Sequence, residues 1–263
     1  MRFDSYSVRS DGRRQPLAFL SLSRQMRAMV PVSFAPMEFA GEELVLTKSN
    51  AIYWPRERAL LVADLHLEKG SWYAQTGQLL PPYDSRETLE RIADAVKATG
   101  ARRVITLGDN FHDDDGTHRL DPYAAGMLES LTRALDWVWI TGNHDEQMQR
   151  SFGAELADEL TLNGIVLRHE ARPGEKRPEL SGHFHPKMRL KVRNRHIARP
   201  CTVISRSNEA GDRMILPAFG AFTGGMDAGA PEILTALSPA NRIDAAMCAK
   251  GKLVTFPLYR QGN

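Results

Sequence analysis

Apolar residues in this chain fall into short runs that stop at polar, chemistry-bearing residues. Residues 43–47 and 51–54 read as short paired strands, and residues 59–63 form a continuous apolar run closed by Asp64, the pattern of a buried strand. Pro81-Pro82 then breaks the chain. Asp84 or Ser85 is placed to cap a helix that carries Leu89, Ile92, Ala93 and Val96 on one face until Gly100. Residues 103–107 make the next strand, which ends in Gly108-Asp109. A second helix over 122–135 leads to a strand over 137–141, and this strand stops at Gly142-Asn143-His144-Asp145. Repetition of strand, motif and helix predicts an α/β layer.

Beyond residue 160 the helical pattern thins. Residues 164–168, 179–181, 189–193 and 214–216 read as strands of a second, more antiparallel sheet. The expected architecture is therefore α/β, a double β-sheet sandwich flanked by helices. The Gly/Ala/Pro-rich stretch 217–231 is expected to be a long loop, of the kind that is often functional.

Composition changes this picture little. With 263 residues, 42% hydrophobic and 25% charged, the chain can bury a sizeable core, and one domain over residues 38–263 is expected. Residues 1–36 hold six arginines against Asp4 and Asp11, so the remaining 28 basic and 30 acidic residues give the body a net charge of −2 although the whole chain is +2. Residues 1–37 are accordingly expected to be a disordered tail or a start-site artefact, with Met26, Met29 and Met37 as alternative starts. No run of eighteen apolar residues occurs, which excludes a helical membrane span, and Cys201 with Cys248 makes no disulfide framework or paired-cysteine zinc site. A cytoplasmic location is the expectation.

The chemistry lies in five motifs: Asp64-Leu65-His66, Gly108-Asp109-Asn110-Phe111-His112, Gly142-Asn143-His144-Asp145, His169, and Gly182-His183-Phe184-His185. Each is expected at the C-terminal end of a strand, where groups far apart in sequence converge on one crevice. If these segments are extended, Asp64 with His66 and His183 with His185 point to the same side. Imidazoles and carboxylates without thiolates suit divalent manganese, iron or zinc in a catalytic rather than a structural site. Four histidines, two aspartates and an asparagine suffice for two ions, which would polarise phosphoryl oxygens and clamp an in-line displacement.

This series, in this order, resembles the calcineurin-like metallophosphoesterase superfamily. The resemblance implies the αββα fold of that superfamily, one metal on Asp64, His66, Asp109 and His185, and a second on Asp109, Asn143, His169 and His183, with Asp109 as the bridge. It also implies that His144 is the catalytic histidine that contacts phosphate and acts as general acid, oriented by Asp145. Many phosphatases of the superfamily have an aspartate and an arginine where this chain has His112 and Asp113. A histidine there resembles the nuclease branch, so His112 joins His144 as a catalytic candidate.

Text around the motifs, His66-Leu67-Glu68-Lys69-Gly70, Leu79-Leu80-Pro81-Pro82-Tyr83-Asp84-Ser85 and Pro217-Ala218-Phe219-Gly220, is similar to the ligase-associated DNA damage response endonucleases. That narrower resemblance implies a DNA phosphodiesterase using two divalent ions, manganese first, in association with a DNA ligase and helicase.

One feature bears on substrate independently of family. Arg189, Lys191, Arg193 and Arg195 alternate with Leu190 and Val192 just after the fifth motif, and residues 180–208 hold seven basic and no acidic residues. This is a field suited to a phosphate backbone, so Arg189, Lys191 and Arg193 are candidate DNA contacts, although a basic strand also guards an edge against mispairing. Lys69 reads equally as a phosphate contact or a solvated loop residue. Trp137 and Trp139 read as core, and His118 and His196 fit no motif. The competing functions are a small-molecule phosphoesterase acting on nucleotides or cyclic diesters, which needs the same metal core, and a non-catalytic scaffold, against which His144 and Asp109 are retained.

Overall fold

The computed structural model describes residues 34–148, 150–193 and 195–262. Residues 1–33 of the expected tail lie outside the described residues, whereas Phe34, Ala35, Pro36 and Met37 belong to the first strand, β1 (Phe34–Phe39). The alternation that marks β1 as half-buried begins four residues before the domain boundary read from composition.

β1 opens a seven-stranded sheet that continues in order through β2 (Glu42–Thr47), β3 (Ile52–Trp54), β4 (Ala59–Val62), β5 (Arg103–Leu107), β6 (Asp136–Ile140) and β7 (Glu155–Ala157). β1 to β4 pair antiparallel and β4 to β7 pair parallel. The parallel register sets Ala59 opposite Arg103 and Arg103 opposite Asp136, so the first three motifs leave the sheet side by side.

The second sheet also has seven strands. Its order is β16 (Lys252–Arg260), β15 (Arg242–Ala249), β13 (Thr202–Arg206), β14 (Arg213–Ile215), β10 (Glu179–Ser181), β9 (Ile165–Arg168) and β8 (Glu159–Leu162), and only β9, β10 and β14 pair parallel. Pro257 sits in β16, the edge strand, where a missing N–H is tolerated.

Two short helices, α1 (Lys69–Gln75) and α3 (Gly116–Arg119), follow the first and second motifs along the chain. Three apolar layers hold the sheets and the remaining helices together. Phe39, Leu44, Trp54, Leu61, Ile105 and Ile140 of the first sheet meet Ile165, Leu167, Leu180, Met214 and Leu216 from the second. The outer face of the first sheet packs Leu60, Val104, Trp137 and Trp139 against Leu89 and Ile92 of α2 (Asp84–Thr99) and Leu128 of α4 (Pro122–Ala134). α4 begins at Asp121, whose carboxylate accepts from Tyr123 N–H (2.8 Å) and Ala124 N–H (3.2 Å), with Pro122 at the first position. The outer face of the second sheet packs Val203, Ile215 and Ala245 against Ile233 of α5 (Pro231–Ala236). The expected αββα sandwich is met. Among the described residues no helix is long and apolar enough to cross a membrane.

Two expectations are corrected. Asp84 and Ser85 do not cap α2: Tyr83 precedes it without a side-chain cap, and both residues turn inward to bond residues 68 and 70. The basic segment 189–193 is not part of the second sheet. It lies in β11 (Lys187–Val192), which pairs only with β12 (Arg195–Pro200) as a separate two-stranded ribbon. Because Val192 pairs with Arg195, the turn places Arg195 on the face opposite Arg189 and Lys191.

Leu61 is fully buried between the sheets. Leu61→Ala should destabilise the domain by about 2–5 kcal/mol, read as a lowered denaturant midpoint with an unchanged slope; a midpoint within error of wild type would contradict this layer assignment.

Candidate metal centre

All five motifs emerge at the same rim. Asp64 follows β4, Asp109 follows β5, Asn143 follows β6, His169 follows β9 and His183 follows β10. Hydrogen bonds continue past the strands: Asp64 N–H donates to Gly108 O (3.1 Å), His66 N–H to Asp109 O (2.9 Å), and Gly182 N–H to His169 O (2.8 Å).

The backbone is not extended here, and this corrects the reasoning from strand alternation. Asp64 (φ 53°), His66 (φ 44°), Asp109 (φ 49°), His183 (φ 72°) and His185 (φ 47°) are all left-handed. Each such non-glycine residue costs about 1–2 kcal/mol. Strain of this kind collects at functional sites that rigid surroundings can hold. Asp64 and His66 do converge, through left-handed residues rather than a β pleat, whereas His183 and His185 go to two adjacent groups that share Asp109.

Ligand-type atoms of Asp64, His66, Asp109 and His185 all lie within 4.8 Å of one another, and so do those of Asp109, His169 and His183. In the first group His66 Nε2 is 3.2 Å from His185 Nε2 and 3.7 Å from Asp109 Oδ2, and His185 Nε2 is 3.5 Å from Asp64 Oδ1. In the second, His169 Nε2 is 3.3 Å from Asp109 Oδ1, 2.9 Å from Asn143 Oδ1 and 3.0 Å from His183 Nδ1. Asp109 is common to both groups. His66, His112 and His144 form a third cluster beside them.

The donors suit divalent cations on structural grounds. Asp64 and Asp109 are buried, and among the described residues no lysine or arginine pairs with either carboxylate. Burial, followed by neighbouring His185, holds His66 well below the ordinary histidine range, and burial followed by neighbouring His169 lowers His183. Both imidazoles are thus neutral near pH 7 and offer lone pairs, as metal ligation requires. Burial likewise lowers His112 to about 4.

Two glycines let the carboxylates in. A Cβ on Gly142 would collide with Asp109 N and Oδ1, and one on Gly182 would stand 2.7 Å from Asp64 Oδ2.

His144 differs from the ligand cluster. Its side chain is 39% exposed, its Nε2 is 4.0 Å from Asp109 Oδ2, and its Nδ1 lies 2.8 Å from the His112 carbonyl oxygen. Asp145 does not orient this ring, contrary to the sequence expectation. It accepts from Gly142 N–H (2.7 Å), Asn110 N–H (2.7 Å) and Phe111 N–H (3.2 Å), tying the second motif to the third. Burial outweighs these three donors and pushes its carboxyl up to about 6.

Around the cluster lie residues that sequence reasoning missed. Asp84 Oδ2 accepts from Gly70 N–H (2.9 Å), and Ser85 Oγ both accepts from Glu68 N–H (2.8 Å) and donates to Glu68 Oε1 (2.7 Å). These bonds pin the start of α1. From α1, Trp72 and Tyr73 pack on His112, with ring centroids 4.8 and 5.9 Å away. Lys69 is half-buried, and burial lowers its ammonium below the usual range. Trp137 and Trp139 are core as expected, while His118 and His196 are exposed.

The loop over 217–230 runs across the rim: Phe219 N–H donates to Ala63 O (2.8 Å), Gly220 N–H to Asp64 O (3.2 Å) and Met226 N–H to His185 O (3.2 Å). The ribbon leaves directly after His185, with Arg189, Lys191 and Arg193 exposed.

The calcineurin-like phosphoesterase family model matches residues 57–244. The crystal structure of the Pseudomonas putida nuclease MPE is similar at 30% identity, covering 85% of this chain and 100% of that one with a TM-score of 0.63. Lesser similarity is found to the Aquifex aeolicus protein AQ665 (14% identity, 48% of this chain and 78% of that one, TM-score 0.35) and to a Vps29 mutant of Entamoeba histolytica (15%, 76% and 97%, TM-score 0.30). No curated protein matches the chain. The chain belongs to the calcineurin-like phosphoesterase family and is a metal-dependent phosphoester hydrolase.

Gly142→Ala should displace Asp109 and, since a misplacement near 1 Å can cost on the order of 100-fold in rate, lower both metal content after dialysis and hydrolysis of a model phosphodiester. Unchanged metal content in a folded variant would refute the contact argument.

Proposed function

We propose that this calcineurin-like phosphoesterase is a cytoplasmic DNA endonuclease of the DNA damage response and repair, hydrolysing phosphodiester bonds and working alongside a DNA ligase and helicase. Asp64, His66, Asp109 and His185 would hold one divalent ion and Asp109, Asn143, His169 and His183 a second. Manganese is the first choice for this mixed imidazole–carboxylate set, with iron and zinc as alternatives. When bound, the ions supply Lewis-acid polarisation of the phosphoryl group and acidify water near neutral pH.

The remaining chemistry belongs to the protein. His144 is the general acid: it is the most exposed of the motif histidines beside Asp109, and its Nε2 faces the site while Nδ1 donates to the His112 carbonyl. His112 stands against it with ring planes 22° apart and centroids at 5.2 Å.

The observation that carries the polymer substrate is the ribbon. A six-residue strand is roughly 20 Å long, so Arg189, Lys191 and Arg193 are spread over more than one nucleotide's length, a spacing that suits a nucleic-acid backbone better than a single nucleotide. The similarity to a nuclease supports the same reading.

Given manganese, the purified protein should nick supercoiled plasmid and cut a model phosphodiester, and Asp109→Asn or His144→Ala should lower both by about 100-fold or more. Replacing Arg189, Lys191 and Arg193 with glutamine should weaken plasmid nicking and reduce the salt slope of DNA binding by about 0.9 for each phosphate no longer neutralised, while sparing the model diester. Plasmid left intact by an enzyme that cuts nucleotides would overturn this in favour of a small-molecule phosphoesterase.

A further inference from the structure

His66 and His112 present ring nitrogens to one another. His66 Nε2 points into the ligand cluster, 3.2 Å from His185 Nε2 and 3.7 Å from Asp109 Oδ2, while its Nδ1 lies 3.4 Å from His112 Nδ1. A neutral imidazole carries one N–H. If Nε2 gives its lone pair to an ion, the proton must sit on Nδ1, and His66 is only 4% exposed, so that N–H needs a protein acceptor. His112 Nδ1 is the acceptor within reach, and it can accept only if His112 carries its own proton on Nε2.

We propose that His112 is a positioning residue for the first metal site: its Nδ1 accepts from His66 Nδ1–H and so fixes the tautomer and ring orientation that aim His66 Nε2 at the ion. This rests on the ligand assignment above. The same residue orients His144, because the His112 carbonyl accepts from His144 Nδ1 at 2.8 Å and leaves Nε2 facing Asp109. One position thus sets two histidines, one through its ring and one through its backbone.

His112 is itself held for the task. Its N–H donates to Leu67 O (2.9 Å), and its ring lies against Trp72, 4.8 Å away at 78°, and Tyr73, 5.9 Å away at 24°. The next residue, Asp113, accepts a two-pronged pair from Arg119, whose Nε also donates to Ser71 Oγ (3.0 Å) on α1. Metal-bound histidines generally donate their second N–H to a carboxylate, a carbonyl or water. Here the acceptor is a neutral imidazole, which adds no charge to a site that already buries two aspartates.

The test is nitrogen-15 NMR of the full-length protein loaded with zinc, a diamagnetic ion. Long-range correlations should show His66 as the Nδ1–H tautomer and His112 as the Nε2–H tautomer, with the His66 Nδ1 proton protected from exchange. His112→Ala should remove that protection and weaken one of two zinc sites by about 10–100-fold, leaving the His144 tautomer unchanged because the backbone carbonyl remains. His112→Asn, whose Oδ1 accepts from a similar position, should restore both signals.

An Nδ1–H proton on His112, failure of asparagine to rescue, or a third zinc ion shared by the two Nδ1 atoms would overturn the proposal. Wild-type protein that shows these signals but cuts no DNA would sink the nuclease reading alone.

Discussion

The structure turns on two aspartates that it buries together, with no lysine or arginine among the described residues paired to either. Asp64 and Asp109 are 0% and 3% exposed, and removing an ionised carboxylate from water costs several kcal/mol even after relaxation. Part of that cost is offset by backbone amides from other motifs: His183 N–H lies 3.0 and 3.1 Å from the two Asp64 oxygens, and His144 N–H lies 3.1 Å from Asp109 Oδ1. Asp64 belongs to the first sheet and His183 to the second, so the carboxylate also clasps the sandwich at its rim. What the amides leave uncompensated is negative charge facing imidazole nitrogens, an environment suited to a divalent cation.

Such a cluster needs a scaffold that resists relaxation. Five of its residues are left-handed, and that conformation persists only because each neighbouring segment is tied elsewhere. The loop after Asp64 is held by Asp84 and Ser85 at the start of α2 and by the 217–230 segment from above. The second and third motifs are joined through Asp145. Behind them the parallel register of β4, β5 and β6 fixes where the loops begin, and the fully buried Leu61, Leu107 and Leu180 leave the sheets no room to slide.

Much of this is legible in the sequence because buried parallel strands announce themselves. The runs ending at Asp64, Asp109 and Asn143 are largely apolar and their ends carry the motifs, so residue order points to the two sheets and to one crevice, while the division of the ligands into two groups comes from the family resemblance. What escapes has physical reasons. β7 and β8 are only three and four residues long and partly exposed, too short for a pattern to stand out, and β15 is alanine-rich, with little β-branching to mark it. Asp84 and Ser85 have capping chemistry, yet tertiary partners at Glu68 and Gly70 outcompete the helix end for their side chains. Asp145 stands next to the His144 ring in sequence, but three backbone amides offer its carboxylate more donors than one imidazole can. The left-handed alternation has no signature in residue type, since aspartate and histidine in such conformations are chosen by the site.

The proposed polyanionic substrate is compatible with a body of net negative charge because the placement of charge counts for more than its sum. At physiological ionic strength a field is screened beyond about 8 Å, so net charge matters less than charge next to the scissile bond. The ribbon puts Arg189, Lys191 and Arg193 on an exposed arm whose strand starts two residues after His185. They are not equivalent. Arg189 Nε lies 3.5 Å from Asp227 Oδ2 in the loop that crosses the rim, whereas among the described residues neither Lys191 nor Arg193 forms an ion pair. Arg189 therefore shares its charge with the loop at the base of the arm, and on the proposed reading it is Lys191 and Arg193, farther out, that remain to meet a backbone phosphate. Because that base is built into the loop bonded to Asp64 and His185, a backbone bound as proposed would be aligned with the candidate ligands by the same segment that carries the basic arm.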